Sequence, residues 1–242
     1  MKDYYCDLHI HSCLSPCGDD EMTPSDIVGM ARLNGLDIIA LTDHNSALNV
    51  PAAVKAGART GLTVIPGMEL ETSEEVHIIL LFPSVEAALE CGKAVDSARF
   101  KIKNRTDIYG RQVIADEFDR EIGEVEDLLL TSSSIGVYDA VAFAARYGGI
   151  AYPAHVDKPA NGIIQILGAL DAGMGFTAAE VSPRATTEIT DKLSGDGYKV
   201  VYGSDAHYLA DISEPCERNR IVLEQPSAEC LINYLRKKSI FT

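Results

Sequence analysis

Short apolar runs and amphipathic stretches alternate along most of the chain, and their two periods mark the elements. The run "YYCDL" (4–8) reads as a strand. "TPSDIVGMARLNG" (23–35) follows as a helix: Thr23 can cap it, Pro24 suits the first turn, Asp26 favours the positive end and Gly35 stops it. Its Ile27, Met30, Ala31 and Leu33 form one apolar side. "LDIIAL" (36–41) is a compact buried strand, "VPAAVKAGARTG" (50–61) a helix and "LTVIPGMEL" (62–70) a strand again. Only a few polar residues precede "VHIILLF" (76–82), which predicts an antiparallel hairpin rather than a helical crossover. "PSVEAALECGKAVDSA" (83–98) is helical.

From about 96 to 135 the rhythm breaks into a charged insertion, where "QVIADEF" and "EIGEVEDLLL" predict a small hairpin. The alternation then returns with helices over "VYDAVAFAARYGG" (137–149), "GIIQILGALDAG" (162–173), "ATTEITDKLSGDG" (185–197) and "AECLINYLRKK" (228–238). Between them lie the strands and exits "IAYPAH" (150–155), "FTAAEV" (176–181) and "KVVYGSDAH" (199–207). Repeated βα units of this number predict one α/β domain over 1–242, with a mainly parallel sheet closed or nearly closed as a barrel.

Composition narrows the function classes. The 46% apolar and 24% charged content reads as globular, and runs such as "HIILLF" are too short to span a bilayer. The start "MKDYYCDLH" lacks the apolar segment of a signal peptide, so a cytoplasmic location is expected, without membrane attachment. Six cysteines, at 6, 13, 17, 91, 216 and 230, include no C-x2-C pair and read as reduced thiols. A formal charge of −15 disfavours a stable complex with long nucleic acid, yet bound cations can make one cleft positive.

The six histidines are His9, His11, His44, His77, His155 and His207. Five follow a predicted strand, and His77 opens the second arm of the hairpin, which returns it to the end where Glu69 lies. Asp7, Asp43, Glu69 and Asp205 occupy the same exits, which converge at one face of a βα barrel. Singly, each has a bland reading: a hydrogen-bonding loop histidine, a core histidine at 77, a helix cap at Asp43. Jointly, imidazoles interleaved with carboxylates point to a cluster of two or three zinc, manganese or iron ions.

The motifs "DLHIH", "LTDHN", "PGMEL", "EVHIILLF", "PAHVDK" and "GSDAH", in this order across most of the chain, resemble the PHP (polymerase and histidinol phosphatase) family. The resemblance implies a distorted (β/α)7 barrel with a trinuclear metal centre. His9, His11 and Asp205 would then hold the first ion, Glu69 would bridge the first and second, and His77 and His155 would complete the second. His44 and His207 would bind the third, with Asp7 and Asp43 orienting ligand imidazoles. Cys17 falls where a histidinol phosphatase would place a further third-ion ligand. Relatives of the small-phosphoesterase type use a nearby aspartate, which makes Asp19 and Asp20 alternatives.

The chemistry so implied is phosphate-ester hydrolysis, in which a hydroxide between two ions attacks phosphorus and the ions absorb charge on its oxygens. Glu69, Asp205 and His207 would be the catalytic residues, with His207 or a water on the third ion serving the leaving group. Lys158 and Arg184, on predicted rim loops, are candidates to hold phosphate, and "NRTDIYGRQ" (104–112) is a candidate lid. The expected substrate is a small phosphate monoester or nucleotide, such as a nucleoside 3′,5′-bisphosphate or short oligonucleotide. Histidinol-phosphate phosphatase is the alternative within the class. A non-catalytic metal-binding regulatory module and an amide or lactone hydrolase are the alternatives outside it.

Overall fold

The structure, a computed structural model, describes residues 1–237. The chain begins with β1 (Lys2–Ile10), α1 (Pro24–Asn34), β2 (Ile38–Leu41), α2 (Val50–Thr60), β3 (Thr63–Glu71), β4 (His77–Leu81) and α3 (Val85–Ala98). An excursion then carries α4 (Thr106–Tyr109), β5 (Val113–Ala115) and β6 (Glu121–Glu124). The second half holds α5 (Val137–Ala145), β7 (Ile150–Pro153), α6 (Ile163–Leu167), β8 (Ala178–Val181), α7 (Thr187–Gly195) and β9 (Lys199–Tyr202). β10 (Arg220–Leu223) and α8 (Ala228–Arg236) close the chain. Lys238, the last residue of the expected terminal helix, lies outside the described residues.

Six strands form one curled sheet in the order β10-β1-β2-β3-β4-β7, and β8 and β9 pair separately. β1, β2 and β3 run parallel, β4 runs antiparallel to both β3 and β7, and β8 is parallel to β9. The expected distorted α/β barrel is therefore present in incompletely closed form. Backbone bonds at the exit end bring β8 and β9 against the larger sheet: Val156 donates to the Glu180 carbonyl (2.9 Å) and His11 to that of Ala206 (3.0 Å). The reversal at β4 is the predicted hairpin, with Glu71 opposite His77.

Local chemistry explains the elements that carry the site. The four residues of β2, Ile-Ile-Ala-Leu, are buried throughout, as a central parallel strand covered on both faces requires. In α1 the Thr23 hydroxyl accepts the Asp26 amide, and Gly35 ends the helix at φ +92°, where a side chain is strained. The core face of α1 is Ile27, Val28 and Ala31; Leu33, expected there, is 83% exposed. The helix expected over 162–173 breaks into α6 and a 3₁₀ turn (Ala172–Met174), because Gly168 adopts φ +82°. β10, absent from the sequence reading, adds an antiparallel edge strand to β1.

Two buried asparagines dock the excursion. Asn49 Nδ2 donates to the Val113 carbonyl (3.0 Å) while its Oδ1 accepts the Ala115 amide (3.0 Å). Asn45 donates to the carbonyls of Leu129 (2.9 Å) and Thr131 (3.0 Å) and accepts from Glu71 (3.0 Å), joining the excursion to β3 beside His44. The two arginines of the candidate lid stretch are engaged within the excursion itself, Arg105 with Asp107 and Arg111 with Glu121 and Glu124. Among the described residues no helix is long and apolar enough to cross a membrane.

Candidate metal centre

All six histidines meet at the exit end of the barrel around one carboxylate. Glu69 is fully buried in β3, and five imidazoles approach it. Its Oε1 lies 2.9 Å from His77 Nδ1, 3.2 Å from His155 Nε2 and 3.4 Å from His9 Nε2. Its Oε2 lies 3.0 Å from His44 Nδ1 and 3.4 Å from His11 Nε2. Asp205 completes this inner ring, 3.0 Å from His11 Nε2 and 3.3 Å from His9 Nε2. The sixth histidine, His207, stacks on His11 with ring centroids 4.4 Å apart.

Hydrogen bonds fix which nitrogens face inward. His9 Nδ1–H donates to Glu180 Oε1 at 2.8 Å, which turns Nε2 toward Glu69 and Asp205. The Ser15 hydroxyl donates to Asp43 Oδ1 (2.7 Å), so it accepts from His11 Nδ1–H (3.0 Å) and leaves His11 Nε2 as a bare lone pair. His207 Nδ1–H donates to the Asp205 carbonyl (2.7 Å), which likewise frees its Nε2. Such outer hydrogen bonds set the tautomer and raise the basicity of an imidazole that faces a cation.

Backbone geometry at two of these residues is unusual. His155 sits at φ +26° and Asp205 at φ +54°, each costing ~1–3 kcal/mol for a residue other than glycine. Both are held from outside. The His155 amide donates to Glu180 Oε1 (3.1 Å), and Asp7 accepts the amides of Ser204 (3.1 Å) and Ser213 (3.0 Å), pinning the turn that carries Asp205.

Electrostatics divide the cluster. Burial disfavours charge on His9, but Glu180, Asp205 and Glu69 outweigh it and hold its pKa well above the ordinary histidine value. Burial and then the charges of His44 and His207 push His11 well below that value. Burial likewise opposes ionised Glu69 and Asp205. His77, His9 and His44 outweigh it at Glu69, and His9 and His11 at Asp205, so both carboxyls lie well below their usual range. Two carboxylates are thus kept ionised inside a protein interior.

The donor set matches divalent cations. The bare His11 Nε2 points at His9 Nε2 (3.0 Å) and at two carboxylates, an arrangement that a cation between them satisfies. Glu69 Oε2 and His44 Nδ1 are buried without a hydrogen-bond partner among the described residues. Within those residues three groups bring ligand atoms within 4.8 Å of one another: His9–His11–Asp205, His44–Glu69–His77 and His11–Cys17–His44–His207. Nitrogen and oxygen donors mixed with one sulfur suit zinc, iron, cobalt or manganese.

The expected site residues divide accordingly. Lys158 pairs with Asp205 at the rim of a cavity of about 410 Å³ lined by Glu69, His44, His77, His155 and His207. Arg184 lies in an adjoining cavity of about 690 Å³ that shares Lys158 with the first. Cys17 Sγ is 3.1 Å from His207 Nε2, whereas Asp19 and Asp20 join none of the three donor groups. Among the described residues Asp43 reaches an imidazole, that of His11, only through the Ser15 hydroxyl. Asp7 departs from expectation: among the described residues it accepts backbone amides and no ring N–H. The acid that does orient His9 is Glu180, which sequence reasoning missed; an acid inside the apolar run "FTAAEV" is the signal that could have found it. Its neighbour Gly203 leaves no free space for a side chain, since a Cβ there would stand 2.6 Å from Glu180 Oε2 and 2.8 Å from His9 Cβ.

Residues 7–223 match the family described as PHP domain. A stretch of 101 residues is 32% identical to a 5′-3′ exoribonuclease of Haemophilus influenzae, covering 38% of this chain and 36% of the relative. Another of 100 residues is 33% identical to a 3′,5′-nucleoside bisphosphate phosphatase of Chromobacterium violaceum, covering 39% and 34%. The alignments thus span about a third of the length of these relatives. The fold is similar to the lesion-specific endonuclease PfuEndoQ of Pyrococcus furiosus, with a TM-score of 0.73 and 19% identity over 97% of this chain and 56% of that one.

Proposed function

The chain belongs to the PHP domain family, and from that premise we propose that it hydrolyses a small phosphate ester, a nucleoside 3′,5′-bisphosphate or similar nucleotide, with bound divalent cations. One observation carries this reading: a buried carboxylate ringed by five imidazoles opens into a pocket with a lysine at its rim. When bound, the ions supply an activated water near neutral pH and neutralise charge on the phosphoryl oxygens. Glu69 lies between the His44–His77 and the His9–His11 sides and would hold ions on both. His155 and Asp205 face it from the second half of the chain. Lys158 is the cation at the mouth; it offers three donors that an incoming phosphate can share with Asp205. The adjoining cavity at Arg184 offers space and a second positive group for the rest of a bisphosphate, and a bidentate guanidinium suits that role. Net charge of −15 favours such compact substrates over extended nucleic acid.

The direct test is phosphate release by zinc-, manganese- or iron-loaded protein from p-nitrophenyl phosphate, a nucleoside 3′,5′-bisphosphate, histidinol phosphate and a short oligonucleotide. The expected result is chelator-sensitive turnover with the bisphosphate preferred. Turnover of histidinol phosphate alone would reassign the substrate. No release with any metal would make the centre a binding module.

A further inference from the structure

The third donor group has a composition the other two lack, because it includes a thiol. His11 cannot complete it while serving the first group. Its Nδ1 is committed to Ser15, and the remaining Nε2 already faces His9 and Asp205 at 3.0 Å each. One nitrogen serves one ion, and the second can draw on Glu69 Oε1 with His77 (2.9 Å) and His155 (3.2 Å) rather than on His44, so Cys17, His44 and His207 remain as three protein donors. The free Nε2 of His207 lies 3.1 Å from Cys17 Sγ, and its tautomer is fixed by the Asp205 carbonyl. All three residues line the 410 Å³ cavity.

The geometry points to a thiolate-bearing metal site, Cys17–His44–His207, that selects zinc or cobalt over manganese and magnesium and keeps one coordination position open to the cavity. This rests on the multi-ion reading of the centre given above. Soft sulfur donors favour zinc-like ions, manganese stands at the weak end of the divalent series, and magnesium prefers all-oxygen sites. Three protein ligands with one vacant position are the arrangement of catalytic rather than structural zinc. Binding replaces the S–H bond by a sulfur–metal bond, and the proton leaves to solvent. The first two groups, built from nitrogen and oxygen donors only, carry no such preference for soft ions. The chain should therefore take up about one more equivalent of zinc or cobalt than of manganese.

The test is spectroscopic and needs no substrate. Metal-free protein is titrated with cobalt(II) while the near-ultraviolet sulfur-to-cobalt charge-transfer absorption is followed, and bound zinc and manganese are counted by elemental analysis. The wild type should show the band and the extra zinc equivalent. Cys17→Ser should lose both, Cys17→Asp should lose the band yet gain manganese at the site, and Cys13→Ser should change neither. Cys17→Asp decides the matter if Cys17→Ser fails to fold. No band in the wild type, or a band that survives both Cys17 substitutions, would overturn the assignment. Normal phosphate release without the band would sink this site alone, while the band without phosphate release would sink the phosphoesterase reading and leave the site standing.

Discussion

Glu180→Gln removes one negative charge behind the centre and leaves the side chain's outline unchanged. The carboxylate is fully buried, and its Oε1 accepts both the His9 ring N–H (2.8 Å) and the His155 amide (3.1 Å). A hydrogen bond to a charged group contributes about 1.5–3 kcal/mol and one between neutral groups about 0.5–1.5 kcal/mol, so the grip on His9 weakens by roughly 1–1.5 kcal/mol. Converted at about 1.4 kcal/mol per factor of ten, that is near tenfold in metal affinity, at the low end of the ~10–100-fold range for groups that orient ligands. Glu180 Oε2 has no hydrogen-bond partner among the described residues. The amide nitrogen placed there is left unsatisfied, which adds about 1–3 kcal/mol of destabilisation. The assay is competition for zinc against a chromophoric chelator, with thermal unfolding of the metal-free protein alongside. Affinity within twofold of wild type, in a protein that still unfolds cooperatively, would refute the claim that Glu180 sets the state of His9.

Gly203→Ala should act on the same pair sterically. Its Cβ meets Glu180 and His9, so overpacking of about 1–3 kcal/mol should lower Tm by ~2–4 °C per kcal/mol and reduce zinc affinity in parallel. Lys158→Ala should cut kcat/KM for a phosphate ester by about 10–100-fold, the worth of one charged hydrogen bond, with metal content retained; loss of metal instead would make Lys158 a prop for Asp205. Because the pKa of His9 is raised above the ordinary value of 6.5, metal-free protein holds that proton at neutral pH. Metal uptake should therefore release protons into a weakly buffered solution, and affinity should fall as pH drops, with less release from Glu180→Gln. Glu69→Gln should lose metal and more than about 100-fold of the activity, because it alters an inner group rather than an orienting one; unchanged metal content would end the bridging role.

The rim of histidines was legible because each stands at an end of a short apolar run, and ends of parallel strands share a face whatever the details of packing. The hairpin at β4 was legible from the short polar gap before His77, and it explains why a histidine at a strand's start joins others at strand exits. Partners across the fold were not legible. Asp7 looks like an orienting acid until the amides of Ser204 and Ser213 are seen against it, some 200 residues away in sequence. Glu180 hides inside a buried strand for the same reason: its role comes from His9, 171 residues earlier. Leu33 and the overlong helix after Gly162 failed locally. In the first case Val28 fills the core face, and in the second a left-handed Gly168 ends the helix after five residues.

The separate pairing of β8 with β9 bears on how the molecule holds together. That ribbon carries Glu180 and leads into Asp205 and His207, while His9, His11, His44, Glu69 and His77 all belong to the first third of the chain. Cations lodged between them would act as rivets across a seam that the backbone joins by a few bonds at its exit end, without a continuous ladder among the described residues. Demetallation should therefore loosen one flank of the barrel first, so that amides of Ala178–Val181 and Lys199–Tyr202 exchange with solvent well before those of β2 and β3.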